Sequence, residues 1–238
     1  MSVPYSRLAL AAVLCLAACR RTPAPVLDRD LSSLIPSSAV LIAGIDLAQL
    51  RNSQLFPNLP PAVKNALDPL RDATYAVVAS DGSRFLIAAR GRLEGATMVT
   101  RNIAIMGPPD LVDSAIAQHQ NGRAGAAPLL ARAPAGPLWV AADGSAQLPL
   151  AGNAANLNRL LHFTQYTTAT ATFDARPIIE FAGICGNEEN ARRVEETIRA
   201  VLSLAQRLQS SRAVEIQRDG STVKVRLELN PADVPRWF

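Results

Sequence analysis

Short apolar runs that alternate with polar turns predict most of the strands in this chain. The first run, residues 39–47, is apolar at almost every position. Asp-Gly pairs at 81–82 and 219–220 each separate two such runs, and this dipeptide tolerates the positive φ angles of tight hairpin turns. The pattern therefore predicts two hairpins, one pairing 73–80 with 84–91 and the other pairing 212–218 with 222–229.

Other segments complete the predicted elements. Apolar runs without helical spacing predict further strands at 101–107, 137–142, 166–174 and 177–185. Helical spacing, opening prolines and capping residues predict helices at 48–56, 60–71, 110–120, 127–133, 154–163 and 187–208. A short terminal helix is expected from Pro231.

The helix predicted at 187–208 has the clearest pattern. Asn187 is a suitable N-cap. Apolar residues recur at steps of three and four from Ala191 to Leu208, which gives one apolar stripe. Opposite charges four residues apart predict ion pairs on the solvent-exposed side of the helix, namely Glu188–Arg192, Glu189–Arg193 and Glu195–Arg199. We expect the stripe to cover a sheet; a coiled-coil interface is the alternative.

The order of elements suggests an internal repeat. Residues 40–50 resemble 138–148 at an offset of 98, and 107–111 resemble 230–234 at an offset of 123. The second half therefore holds about 25 more residues, the length of one helix and a turn. The predicted fold class is α+β, with two related β-α-β-β-type halves whose antiparallel sheets are covered by helices on one face, the first half lacking one helix.

The predicted organisation has five segments. An export signal (1–18) and a tether (19–30) precede the first α+β half (31–121). A connection rich in Ala, Gly and Pro (122–136) leads to the second half (137–238). The chain has 238 residues, 49% of them apolar, which is enough to build a substantial core. Its formal charge of +4 comes from scattered residues, so no nucleic-acid partner is expected.

The N-terminus carries the one motif to which a function can be assigned. Arg7 precedes an uncharged run from Leu8 to Ala18, the pattern of an export signal. The run is too short to span a membrane as a helix. Its end, Leu16-Ala17-Ala18-Cys19, resembles the lipobox of bacterial lipoproteins. That resemblance implies recognition of Leu16, Ala17 and Ala18 by signal peptidase II, cleavage before Cys19, and lipidation of Cys19.

The same resemblance suggests a location in the cell envelope. Arg20 stands where an Asp in Gram-negative lipoproteins marks retention in the inner membrane, so the outer membrane is favoured, with the body in the periplasm. An ordinary secretory signal is the alternative. Thr22-Pro23-Ala24-Pro25 is expected to form a short, stiff tether. Cys185 would then have no partner, and we expect it to be a buried small hydrophobe.

No catalytic, cofactor-binding or metal-binding site is predicted. His119 and His162 have no Cys, Asp or Glu at metal-ligand spacing. The Asp-Gly-Ser triplets at 81–83, 143–145 and 219–221 lack the context of a nucleophile elbow and are interpreted as turns. Trp139 belongs to a predicted core strand, whereas Trp237 and Phe238 either pack on the body or form a contact patch.

These observations favour a membrane-anchored, non-enzymatic binding or interaction module. The body resembles uncharacterised bacterial envelope proteins with tandem α+β domains, a resemblance that implies no activity. The expected partners are the membrane, through the N-terminal lipid, and an envelope protein, lipid or polymer. Two alternatives stay open: an envelope hydrolase with a dispersed site, and a structural partner that forms a homo-oligomer.

Overall fold

The computed structural model describes residues 29–122, 125, 127–146, 158, 161–208 and 214–230, with only the backbone at 127 and 201–208. The signal segment, Cys19 and the tether lie outside these residues. So do most of the predicted helix at 154–163, the terminal helix predicted from Pro231, Trp237 and Phe238.

In the described part, ten strands form one antiparallel sheet in the order β4-β5-β3-β2-β1-β6-β7-β8-β10-β9. The strands are β1 (Leu41–Asp46), β2 (Ala73–Ser80), β3 (Phe85–Gly91), β4 (Thr97–Thr100), β5 (Ile103–Met106), β6 (Leu138–Asp143), β7 (Thr164–Ala171), β8 (Ile178–Cys185), β9 (Val214–Asp219) and β10 (Thr222–Glu228). The helices are α1 (Arg29–Ser33), α2 (Leu47–Arg51), α3 (Pro61–Leu67), α4 (Pro109–Gln120), α5 (Ala127–Leu130) and α6 (Glu188–Leu208).

The strand order is symmetric about the central pair β1–β6. Outward from this pair, β2, β3, β5 and β4 follow on one side, and β7, β8, β10 and β9 follow on the other. Residues 92–96 alone join β3 to β4, whereas residues 186–213, which include α6, join β8 to β9. The prediction of two related α+β halves, the first lacking one helix, is therefore confirmed.

The two halves share one continuous sheet, which the sequence analysis did not anticipate. The indole Nε1 of Trp139 on β6 donates to the hydroxyl of Tyr75 on β2 at 2.8 Å, and this bond is buried. It spans β1 at Gly44, where an added Cβ would collide with the indole and lie 2.5 Å from the Tyr75 hydroxyl. A glycine at this position therefore lets a side chain of one half bond to a side chain of the other.

The sheet has two faces, because successive side chains of a strand point in opposite directions. We call face A the side that carries Ile42, Val77 and Trp139, and face B the side that carries Ile45, Ala76 and Ala89. In the first half, α1, α4 and α5 contribute Leu31, Leu111, Val112, Ala115 and Leu129 to the buried cluster on face A.

Face B of the first half is covered by α2 and the 3-10 turn Asp68–Leu70. Helical segments thus lie on both faces of the first half, whereas one covered face was predicted. The physical reason is that β2 is apolar at consecutive positions and buries side chains on both sides. In the described part of the second half, the helical cover is α6 on face B.

Helix α6 closely follows its predicted pattern. Asn187 accepts a hydrogen bond from the backbone of Asn190 at 2.8 Å, which confirms the N-cap. Ala191, Val194 and Ile198 pack on the sheet beside Cys185 and Val223, so the helix covers a sheet.

Two of the three predicted ion pairs of α6 form, Arg193–Glu189 at 2.5 Å and Arg199–Glu195 at 2.8 Å. The predicted pair Glu188–Arg192 is wrong, because Arg192 bonds Glu196 at 2.9 Å instead. Either carboxylate lies one helical turn from Arg192, so spacing alone did not distinguish them.

Strand β4 was missed by the sequence analysis. It is a four-residue edge strand whose residues are mostly exposed, so it lacks the apolar alternation that identifies a half-buried strand.

Among the described residues, no helix has both the length and the apolar character needed to cross a membrane.

Candidate functional site

The candidate site is the part of face A formed by β7, β8, β10 and β9. In the first half, the corresponding face of β3 and β5 carries Leu86, Ile103 and Ile105, each at most 1% exposed. In the second half, the register places Glu180 of β8 and Lys224 and Arg226 of β10 on this face, and all three are exposed. Among the described residues, the same side of the same sheet is therefore apolar and covered in one half, but polar and uncovered in the other.

A groove of about 460 Å³ lies on this open surface; we call it the open groove. Thr168 and Thr170 of β7 line one side, and Glu215 and Gln217 of β9 line the other. The methyl group of Ala182 lies between them. Pro134 and Ala135, in the connection between the halves, complete the lining. The volume falls within the range usual for ligand sites.

The charged groups of the open groove are mostly engaged with one another. Arg226 forms an ion pair with Glu180 on β8 and stands opposite Glu215 on β9. The amide of Gln217 donates to Glu215 at 2.5 Å. Within the described residues, Lys224 has no carboxylate at ion-pair distance, and the hydroxyls of Thr168 and Thr170 have no hydrogen-bond partner. One cation and two hydroxyls of the groove are therefore not bonded to other described protein groups.

Carboxylates with shifted pKa values lie outside the open groove. Backbone hydrogen bonds from Ser83 and Arg84 lower the pKa of Asp81 far below its usual range. Hydrogen bonds from Ser145 lower the pKa of Asp143, and those from Arg199 and Arg218 lower the pKa of Glu195. Each shift stabilises the charged form, so these carboxylates hold a turn or an ion pair together.

Two of the Asp-Gly-Ser triplets are turns closed by the aspartate. Asp81 Oδ1 accepts from the backbone of Ser83 at 3.0 Å, and Asp143 Oδ1 accepts from the backbone of Ser145 at 2.9 Å. Gly220 in the third triplet has φ +53° at the β9–β10 turn. The interpretation of these triplets as turns is confirmed.

The two histidines have different surroundings. His119 Nδ1 lies 2.6 Å from the hydroxyl of Ser33, and that hydroxyl also donates to the carbonyl of Asp30 at 2.8 Å. The contact between Ser33 and His119 links α1 to α4. His162, by contrast, is exposed to solvent.

The remaining predicted residues divide between the core and the undescribed segments. Cys185 is 3% exposed, and burial raises the pKa of its thiol, which agrees with the predicted role of a small hydrophobe. Trp139 is 1% exposed, as expected of a core residue. Leu16, Ala17, Ala18 and Cys19 lie outside the described residues.

The open groove was not identified from the sequence, although a signal for it exists. Strand β10 alternates polar and apolar residues, with Val223 buried and Lys224 exposed, a pattern typical of a strand with one wet face. The alternation shows that one face is polar, but it does not show that β7, β8, β9 and β10 assemble those faces into a groove.

Comparison with known proteins supports the fold. No protein-family model matches the chain, and no curated protein sequence matches it. Among solved structures, crystal form III of TP0453 is similar with a TM-score of 0.53 and 10% sequence identity, covering 88% of this chain and 97% of that chain. Crystal form I of TP0453 has a TM-score of 0.47 and 11% identity, with 89% and 97% covered. At this identity, the likeness to crystal form III shows that this chain shares its α+β fold.

Proposed function

We propose that this protein is a lipid-anchored component of the bacterial cell envelope whose body binds an envelope partner through the open groove. The observation that carries the binding role is the difference between the halves. In the part of the chain that the structure describes, face A is apolar and covered by helices in the first half, but polar and uncovered in the second. A core that had merely lost its cover would expose apolar side chains, whereas this surface combines polar side chains with a groove of about 460 Å³, a volume usual for ligand sites.

A binding role is favoured over a catalytic one by the state of the groove carboxylates. Glu180 is held by Arg226 and Glu215 by the amide of Gln217. A general acid or base requires a carboxyl group that is free to exchange a proton with a substrate. These two groups are already committed to neighbouring donors.

The anchoring role is supported by the lipobox-like sequence and by where the chain enters the body. Leu31 of α1 and the following Leu34 and Ile35 are each at most 1% exposed, so the start of the body is firmly packed. Residues 19–28 would span at most about 35 Å when fully extended. A lipid on Cys19 would therefore hold the body close to the membrane surface.

Replacing the proposed lipidated cysteine tests the anchor. Cys19→Ser in the full chain, expressed in a Gram-negative host, is expected to abolish incorporation of labelled fatty acid and to release the body from the membrane fraction. Cys185→Ser is the matched control and is expected to retain both the label and membrane attachment. Unchanged membrane attachment of Cys19→Ser would refute the proposed anchor.

Site-specific photo-crosslinking in cells tests the binding surface. A photoreactive residue is placed at Gln217 in the groove or, as a control, at Arg101, an exposed residue at the β4–β5 turn. An adduct of defined mass is expected from position 217, and it should diminish when Lys224 is changed to Gln. If position 217 yields no adduct, or the same adducts as position 101, the proposed binding role is wrong.

A further inference from the structure

We propose that the first half carries a second interaction surface, on face B, which binds an amphipathic helix of a partner protein. The surface consists of Phe85, Ile87, Met98 and Met106, and we call it the apolar patch. It lies apart from the open groove and does not depend on the function proposed above. Three observations carry it: the exposure of these side chains, the polarity of uncovered sheet surface elsewhere, and the elements that cover apolar sheet surface in this molecule.

The register of the sheet places the apolar patch on three neighbouring strands. Met98 of β4 pairs with Ala104 of β5, and Met106 of β5 pairs with Ile87 of β3. Phe85 lies two residues before Ile87 and therefore on the same face. Phe85, Met106 and Met98 thus follow one diagonal across β3, β5 and β4. From the spacing of strands and of residues along them, this diagonal is about 16 Å long, the length of about three turns of helix.

Two members of the apolar patch are exposed to solvent. Phe85 is 42% exposed and Met98 is 44% exposed, and no other large hydrophobic residue that the structure describes is exposed. Ile87 and Met106 are partly buried against the cluster to which α2 and the 3-10 turn contribute. These two helical segments therefore cover one end of face B in the first half, and the described residues leave Phe85 and Met98 uncovered at the other end.

Exposed sheet surface is polar where it forms the open groove. The exposed positions of β9 and β10 on face A of the second half carry charged or amide side chains, namely Glu215, Gln217, Asp219, Lys224 and Arg226. The exposed positions of the apolar patch instead carry Phe and Met. Clustered apolar side chains that are exposed on a polar surface mark an interaction site. The flexible thioether side chains of Met98 and Met106 can adapt to a partner.

Helices cover the apolar sheet surface in the other described parts of the molecule. Helices α1, α4 and α5 cover face A of the first half, and α6 covers face B of the second half. By the symmetry of the strand order, β8, β10 and β9 under α6 correspond to β3, β5 and β4. The connection from β3 to β4, residues 92–96, is too short to supply such a helix. The geometry therefore favours a helix supplied by another protein.

The contacts of α6 show what the partner helix must present. Ala191, Val194 and Ile198 pack on face B of the second half, and they follow one another at steps of three and four residues. A partner helix with this spacing places its apolar stripe on Phe85 and Met98 and keeps its polar side in water. Removing these apolar side chains from water is the driving force for its binding.

Binding of a defined amphipathic peptide tests the apolar patch. The protein is the chain from residue 19 onward with Cys19→Ser, so that neither lipid nor detergent competes for the patch. The probe is a synthetic peptide of residues 187–208 with a photoreactive group on its apolar stripe, and the control peptide carries Val194→Ser and Ile198→Ser. We expect saturable binding of the probe with a rise in its helical circular dichroism, and at least tenfold weaker binding of the control. The crosslinks of the probe are expected within residues 85–106.

Variants of the protein connect that binding to the patch. Phe85→Thr combined with Met98→Thr is expected to weaken binding of the probe at least tenfold. Thermal unfolding of this variant should stay close to that of the wild type, because both side chains are exposed and Thr is well suited to strands. Lys224→Gln is the matched control, since Lys224 lines the open groove on the other face, and its affinity for the probe should be unchanged.

Four results would overturn the helix proposal: no saturable binding of the probe, equal binding of the control peptide, equal affinities of the patch variant and the Lys224 variant, or crosslinks within residues 178–228, where the probe would have displaced α6. A dimer of the protein that dissociates in the patch variant would also overturn it, because a second copy would then occupy the patch. Crosslinking from position 217 tests the open groove separately, so failure of either proposal leaves the other standing.

Discussion

Gly44 is expected to be essential to the junction between the two halves. A Cβ at this position would collide with the Trp139 indole and lie 2.5 Å from the Tyr75 hydroxyl. Trp139 is 1% exposed and Tyr75 9% exposed, so neither ring has open space into which to turn. The substitution Gly44→Ala therefore forces the indole, the phenol or the β1 backbone to move.

The size of the effect follows from three contributions. Overpacking a well-packed core costs about 1–3 kcal/mol. Loss of the buried Trp139–Tyr75 hydrogen bond costs about 1 kcal/mol. Replacing a glycine within a strand by alanine stabilises the fold by about 0.5–1 kcal/mol, which offsets part of this loss. Together these give an expected loss of about 1–3.5 kcal/mol in the free energy of unfolding of Gly44→Ala.

Urea denaturation followed by circular dichroism measures this loss. Gly186→Ala is the matched control, because the nearest atom to an added Cβ there is the side-chain nitrogen of Gln165 at 3.9 Å. Its midpoint should stay close to that of the wild type. If Gly44→Ala unfolds within 0.5 kcal/mol of the control with an unchanged m-value, the reasoning about the close approach is refuted.

Three further predictions concern single residues. Asn187→Ala removes the N-cap of α6 and should lower the free energy of unfolding by about 1 kcal/mol; equal urea midpoints would contradict this. Folding lowers the pKa of Asp81, so its ionised form stabilises the fold above the ordinary pKa of about 4. The free energy of unfolding that Asp81→Asn loses relative to the wild type should therefore become smaller as the pH falls below that value. A loss that does not change with pH would disprove this linkage. Burial raises the pKa of the Cys185 thiol, so in a chain with Cys15 and Cys19 changed to Ser it should react slowly with a thiol reagent when folded and rapidly in urea; equal rates would show that it is accessible.

Much of the fold could be predicted because its signals are local. The Asp-Gly pairs place the turns after β2 and β9, since the backbone conformation they favour depends on two residues. The extent of α6 was predicted to within one residue from its cap and its apolar spacing. The same reasoning failed at β4, where an exposed edge strand has no core-facing pattern to detect, and at Arg192, where two carboxylates compete at equal spacing.

The open groove depends on contacts between residues distant in sequence. The alternation in β10 predicts one polar face, but the groove also requires that β8 and β9 flank β10 and that α6 lie on face B. These choices follow from packing, because the apolar stripe of α6 buries Val223 and Cys185. The helix therefore lies on face B and not on the polar face. Local patterns carry no information about which neighbours a strand will have.

The sequence by itself determined most of the strands, the hairpin turns, the long helix and the α+β class, because each depends on periodicity or on a few adjacent residues. Only the tertiary structure decided that the halves share one sheet through β1 and β6. That pairing is a backbone ladder between segments distant in sequence, and the bond between Trp139 and Tyr75, 64 residues apart, crosses it over a glycine that leaves room for it. The open groove has the same physical origin, since it exists only where distant strands and one helix meet.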